Sequence, residues 1–401
     1  MKKIFVLLSL FLVTWGLQAK PLKVYILAGQ SNMQGHAKVS VLDYMKEDPK
    51  SMGLYKSMHD KQGKIKVCED VYISNFTGTN ENNAKSFGSL TAGYGARRNP
   101  LVSEDKIGPE FTFGITMHKL LNEPVLIIKT AWGGKSLFKD FRSPSAGPYV
   151  PNEMDIKKKR YATSEQQKQL EKETGHYYRL MISHVNEVLK DIKRVYPQYN
   201  SKQGYELAGF VWFQGWNDMV TRDVYPYLKK GGQGNRFDSY SENLTHLIRD
   251  IRKDLNVPQL PVCIGVMGVG GISNSKQADF RQAMIAPSSY PEFKGNVTAV
   301  ETAAFWDDKL GAIDEKRSKI RQMAYLLRTK NKNHANKEGK MSTQEQKQFL
   351  VDYRAKLISK EEDALFARGA SNAGYHYLGC AKTMALIGEA FAQKLYSIQD
   401  K

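Results

Sequence analysis

The sequence predicts an α/β fold: a three-layer α/β/α sandwich on a parallel sheet, with extra segments inserted at loops. Three observations predict it. Five short apolar runs, at 23–28, 124–131, 207–214, 261–268 and 296–303, are continuous and rich in Val and Ile, the pattern of strands buried on both faces. Helical patterns lie between several of them, and strand, helix, strand in that order gives right-handed crossovers. Finally, 401 residues exceed the usual size of one domain but suit a large α/β core with long loops.

Residues 1–19 read as a secretory signal peptide, with Lys2 and Lys3, an apolar stretch over 4–13 and the small-residue ending Leu17-Gln18-Ala19. The apolar stretch is too short to span a bilayer, and nothing later in the chain is long enough. The expected product begins near Lys20, is periplasmic or secreted, and has no stable membrane insertion. The first run then ends at Gly29-Gln30-Ser31-Asn32-Met33. A serine after a strand commonly caps a helix. The spacing also matches the start of the nucleophile elbow G-x-S-x-G, but Met33 stands where the last glycine belongs, which disfavours the α/β-hydrolase elbow. A phosphate-binding loop fails because no Lys-Ser/Thr follows.

The segment 38–108 is rich in polar and turn residues and reads as a first insertion, followed by 138–165 and 306–370; one domain over 20–401 carries all three. They are expected either to build a substrate cleft or to add stability. The second run ends in Thr130-Ala131-Trp132-Gly133-Gly134-Lys135-Ser136, where paired glycines can present backbone N–H groups to a developing oxyanion. A helix follows, with Tyr178, Met181, Val185, Val188 and Ile192 on one face and Pro197 beyond its end. The third run ends in Gln214-Gly215-Trp216-Asn217-Asp218, where the Gln214 amide could serve the same oxyanion. The last helix repeats the apolar stripe at Met384, Ile387, Phe391 and Leu395. Just before it stands His376, the natural general base if it shares the sheet edge of Ser31. His36 is nearer in sequence, but too close along the chain to reach back easily.

None of the eight histidines has the spacing of a helical metal site. Cys68, Cys263 and Cys380 allow at most one internal disulfide and match no zinc pattern, and the last two read as core. The net charge of +18, or +16 without Lys2 and Lys3, attracts polyanions. An exported protein meets sulfated or uronic glycans more readily than nucleic acid, and a solvated lysine-rich surface explains the charge equally well. Nucleic-acid binding rests only on charge and on patches such as Lys157-Lys158-Lys159-Arg160; the export signal counts against it.

Taken together, Gly-Gln-Ser-Asn-Met-x-Gly, Ala-Trp-Gly-Gly-x-Ser-Leu, Trp-Phe-Gln-Gly and a late His before the last helix resemble the SGNH hydrolases, in the branch of sialate O-acetylesterase-like and carbohydrate esterase family 6 proteins. The resemblance covers the core strands and the final helix, not the insertions. It implies a flavodoxin-like sheet, removal of O-acetyl groups from a polysaccharide or oligosaccharide, and no metal or other cofactor. By this resemblance Ser31 is the nucleophile and His376 the base. The oxyanion donors are the Ser31 N–H, a Gly133 or Gly134 N–H, and the Gln214 amide. Trp132, Trp216 and Asn217 are candidates for contact with the sugar. Two positions depart from the family: Trp216 stands where a Glu is frequent, and Ala373 replaces the Asp three residues before the histidine. Neutralising a triad acid can cost about 10⁴ in rate. The site is therefore a dyad with a backbone carbonyl holding the ring, a triad whose acid comes from elsewhere, with Asp307 or Asp308 as candidates, or a site that no longer turns over. In the last case the chain is a glycan-binding protein on the same scaffold.

Overall fold

The computed structural model describes residues 20–79, 82–97, 105–228, 233–329 and 334–399, so the expected signal peptide lies outside the described residues. The strands, in chain order, are β1 Leu22–Gly29, β2 Ala37–Lys38, β3 Val71–Thr79, β4 Asn82–Ser89, β5 Lys106–Ile107, β6 Val125–Gly133, β7 Tyr205–Phe213, β8 Val262–Val266 and β9 Val297–Glu301. Seven of them form one sheet in the order β4-β3-β6-β1-β7-β8-β9, parallel except for the edge strand β4, while β2 and β5 pair separately. All five expected strands are present. The segment 38–108 differs from expectation: it is not only an insertion, because β3 and β4 extend the sheet beyond β6.

Alternate residues on each strand face opposite helix layers. Tyr25 meets Phe113 of the helix Glu110–Leu121, and Phe213 meets Phe391 of the final helix Ala381–Ser397. These two helices pack against each other. On the other face Trp132 meets Tyr177 of the helix His176–Lys190, and Trp212 meets Phe141. Both layers exclude water from the sheet, which completes the three-layer sandwich. Cys68, Cys263 and Cys380 are all buried free thiols.

The insertion 306–370 is helical, over Asp308–Arg328, Thr343–Leu357 and Lys360–Gly369. A small second core of Tyr44, Leu310, Leu378 and Cys380, flanked by Leu365 and Phe366, fastens it to the loop before the final helix. It thereby supports the segment that carries His376.

The register places the site. Gly29, the last residue of β1, lies beside Ala131 of β6 and Phe213 of β7, so the three loops that follow emerge side by side. The chain leaves β1 toward β6 on one side and reaches β7 on the other. Such a divergence at the carboxyl ends of parallel strands opens a crevice where ligands bind.

Candidate active site

Ser31 is the first residue of a one-turn helix, Ser31–Gln34, and is almost buried. The turn into it requires glycine at 29, because a Cβ there would stand 2.1 Å from the Phe213 carbonyl oxygen. Met33 is fully buried under this turn. The first N–H groups of a helix have no intrahelical partner, so the Ser31 N–H can meet an anion. Gln30 does not cap the helix with its side chain. Its Oε1 accepts from Gly215 N at 3.1 Å and Asn217 N at 3.3 Å, locking this loop to the one after β7.

The far end of the same turn rests on a buried ion pair. Lys129 Nζ donates to the Gln34 carbonyl at 2.9 Å, the Tyr94 carbonyl at 2.9 Å and Glu110 Oε2 at 2.7 Å, so all three of its hydrogens are used. Both side chains are fully buried. Gln34 Nε2 donates to Thr77 Oγ1 at 2.8 Å, so β3 also braces the serine turn.

His376 belongs to the irregular loop Gly374–Gly379, and the structure brings it to the Ser31 turn from two sides. Asn32 Nδ2 donates to the Tyr375 carbonyl at 3.2 Å, and the His36 ring stacks on the His376 ring at 3.8 Å with planes 6° apart. His36, set aside because it could not reach back to Ser31, is thus the floor of His376. Burial, and secondarily Lys106, lowers His376 to about 4. Burial, and secondarily His376, lowers His36 to about 3. Both rings are neutral at pH 7.

The loop is strained and over-determined. Tyr377 and Leu378 hold left-handed φ values of 51° and 62°, each costing on the order of 1–3 kcal/mol for such residues. Tyr377 OH bonds Gly268 N at 2.7 Å and Thr302 Oγ1 at 2.5 Å, and the Leu378 carbonyl accepts from Ser371 N and Asn372 N. These ties hold His376 in place.

Three expectations are corrected. Asp307 is not the triad acid: it caps the helix Asp308–Arg328 through Leu310 N at 3.0 Å, accepts from Tyr44 OH at 3.0 Å and pairs with Lys382 at 2.7 Å. Asp308 is exposed on the first helical turn over Gly271, while the His376 Nδ1 position is taken by Asn372 Oδ1 at 3.0 Å. Gln214 is turned inward: its Nε2 meets Gln30 Oε1 at 3.2 Å, the Lys135 carbonyl at 3.0 Å and Asp218 Oδ2 at 2.6 Å, so its two hydrogens are committed. Trp132 is fully buried among Phe76, Phe141 and Tyr177, because its position on β6 faces the helix layer rather than the crevice.

Gly133 closes β6, and Gly134 is exposed with a φ of 74°, a conformation that favours glycine. Asn217, half-buried, gives one Nδ2 hydrogen to the Gly134 carbonyl at 2.5 Å. Trp216 is half-buried and its ring lies 5.8 Å from Tyr375, which is 45% exposed. Asp218 was not singled out from sequence. It is wholly buried and accepts from Leu137 N, Phe138 N, Gln214 and Tyr225 OH, yet burial pushes it up to about 6. Among the described residues no group of three or more His, Cys, Asp or Glu side chains could hold a metal ion.

Residues 21–310 match a family model described as carbohydrate esterase, sialic acid-specific acetylesterase. The match ends before His376. Two solved structures are similar: a protein of Arabidopsis thaliana at 17% identity and TM-score 0.37, covering 70% of this chain and 86% of that one, and a carbohydrate acetylesterase of Xanthomonas citri at 12% identity and TM-score 0.36, covering 69% and 49%. This chain thus spans about half the length of the Xanthomonas protein. No curated protein matches the chain.

Proposed function

The chain belongs to the carbohydrate esterase, sialic acid-specific acetylesterase family, and from that premise we propose that it deacetylates a glycan through an acyl-enzyme on Ser31, with His376 as base. The observation that carries this reading is the joining of the two loops by Asn32, Tyr375 and the stacked histidines. With Nδ1 of His376 engaged by Asn372, Nε2 is the nitrogen left for Ser31. Ser31 Oγ adds to the acetyl carbon while its proton passes to His376 Nε2. Collapse breaks the carbon–oxygen bond to the sugar, and the proton goes to the departing sugar oxygen. Water, activated by the same nitrogen, then releases acetate.

The Ser31 and Gly134 N–H groups, with the remaining Nδ2 hydrogen of Asn217, serve the oxyanion in place of Gln214. Trp216 and Tyr375 form an aromatic wall for a sugar face. Acetate release from an acetylated glycan tests the reading: Ser31→Ala should lower kcat by about 10⁴-fold or more, and Trp216→Ala should raise KM about tenfold, the loss of about 1.4 kcal/mol of stacking. A Ser31→Ala protein with unchanged release would end this account.

No helix among the described residues is long and apolar enough to cross a membrane. The leader over 1–19 supports export, which sequencing the amino terminus of the exported protein would check by finding a start near Lys20. The charge of +18 favours an anionic glycan, and KM for such a substrate should rise with salt while that for a neutral one stays level. A second reading, glycan binding without turnover, is favoured by the neutral Asn372 at the ring of His376. Retention on an acetylated glycan with no acetate release would decide for it.

A further inference from the structure

We propose that Asn372 is the positioning residue that replaces the missing triad carboxylate: its side-chain oxygen holds the Nδ1–H of His376 while His36 supports the ring face, giving a Ser31–His376–Asn372 triad that contains no acid. The role given to His376 rests on the esterase reading above; the contact between the two side chains does not.

The orientation of Asn372 follows from a third group. The same side-chain atom that meets His376 Nδ1 at 3.0 Å also accepts from the backbone N–H of Ala373 at 2.8 Å. A backbone N–H can only donate, so that atom is the carboxamide oxygen, which can only accept. His376 Nδ1 must therefore be the donor. The neutral ring then carries its proton on Nδ1 and its lone pair on Nε2, the tautomer that a base for Ser31 requires. The backbone of Asn372 is itself fixed, with its N–H on the Leu378 carbonyl at 2.9 Å. His36 lies flat under the ring and opposes tilting.

Asn372 reproduces one of the two services of a triad acid. It selects the tautomer, but it supplies no negative charge to the imidazolium. The surroundings do not make up the difference. His36 faces the ring from the serine loop and Tyr375 stands edge-on to it at 4.4 Å. Lys106 of β5 opposes its protonation. On the insertion side, Asp314 lies against Gly374 and pairs with Arg321 at 3.3 Å. Tyr377, next in the loop, is spent on Gly268 and Thr302.

The test is nitrogen-detected NMR of the histidine side chains in the full mature chain across pH, for wild type, Asn372→Asp and Asn372→Ala, with kcat/KM measured on the same samples. Wild-type His376 should be the Nδ1–H tautomer. Asn372→Asp should move its titration upward by about one to three pH units and carry the acid limb of kcat/KM with it. Asn372→Ala should mix the tautomers and lower kcat by about 10²-fold with KM little changed. A wild-type Nε2–H tautomer, or a His376 titration that Asn372→Asp leaves in place, would overturn the proposal. Tautomer and titration are read without substrate, so an inactive wild type would count against the esterase reading alone. The wild-type tautomer decides the matter even if a variant fails to fold.

Discussion

His376 carries the sharpest consequence at the scale of single residues. An unperturbed histidine loses its basic form near pH 6.5. Here burial and Lys106 hold the ring near 4, so protonation, which removes the base, is postponed to lower pH. The acid limb of kcat/KM should accordingly fall below about pH 5, with activity level through neutrality. A limb near 6.5 would mean that the ring is solvated in the working enzyme. That the Ser31 and His376 loops meet at one sheet edge was legible in the sequence, because Ser31 follows an apolar strand run and His376 precedes the apolar stripe of the last helix. Asn372 was not, since one amide in Ser371-Asn372-Ala373 reads as an ordinary turn, and the sequence does not say that the irregular backbone after it folds its oxygen onto the ring of His376 in the same loop. Asp307 misled for the complementary reason: an acid before a helical run is first a cap, and here the cap is its use. Gln214 likewise stands where a donor is expected, and only the fold reveals Asp218 and the Lys135 carbonyl as its acceptors.

Elements buried on both faces announced themselves, whereas β3 did not. Its sequence, Val71 to Thr79, places Ser74, Asn75 and Thr77 in the interior, so the expected apolar run is broken although the strand is central to bracing the serine turn. The same polar interior holds Lys129 and Glu110, which join β6 to the helix Glu110–Leu121 under the Gln34 carbonyl. Burial drives the lysine downward from its usual value while Glu110 opposes that shift. Glu110→Gln keeps the shape and leaves the ammonium uncompensated, which should cost about 3–5 kcal/mol of stability in urea unfolding. Adding Lys129→Met should recover part of that loss, because an apolar replacement removes the buried charge. Activity should not recover with it. Gln34 and Tyr94 would lose their donor, the turn bearing Ser31 would loosen, and kcat should stay depressed in the double variant. Recovery of both together would show that the pair serves stability alone.

Protonation and charge act on the molecule as a whole, and three histidines from separate parts of the chain act in one direction. Burial is the main cause holding His36 to about 3, and His184 and His376 to about 4. In the unfolded chain each would bind a proton near 6.5. Between pH 6.5 and 4 the unfolded state therefore holds more protons than the folded one, so stability is full above that window and drains away as pH falls through it. Asp218 works the other way, because its folded value of about 6 lies above its ordinary 3.8 and its uptake of a proton favours the fold as pH drops. Glu389, also raised by burial, acts with it, whereas His176, lowered by burial, and carboxylates held low by their partners, such as Glu187 beside Lys85, add to the side of the three histidines. The net charge of +18 adds self-repulsion in the same range as further groups lose negative charge. The two causes separate by salt, since repulsion between exposed charges is screened at about 1 M ionic strength while the cost of charging a buried ring is not. Urea unfolding at pH 7, 5.5 and 4.5 should show stability falling stepwise in both low and high salt, and His184→Gln should flatten the slope by its share. If high salt abolishes the slope, repulsion rather than burial governs acid unfolding, and the dry environment assigned to His376 loses its support.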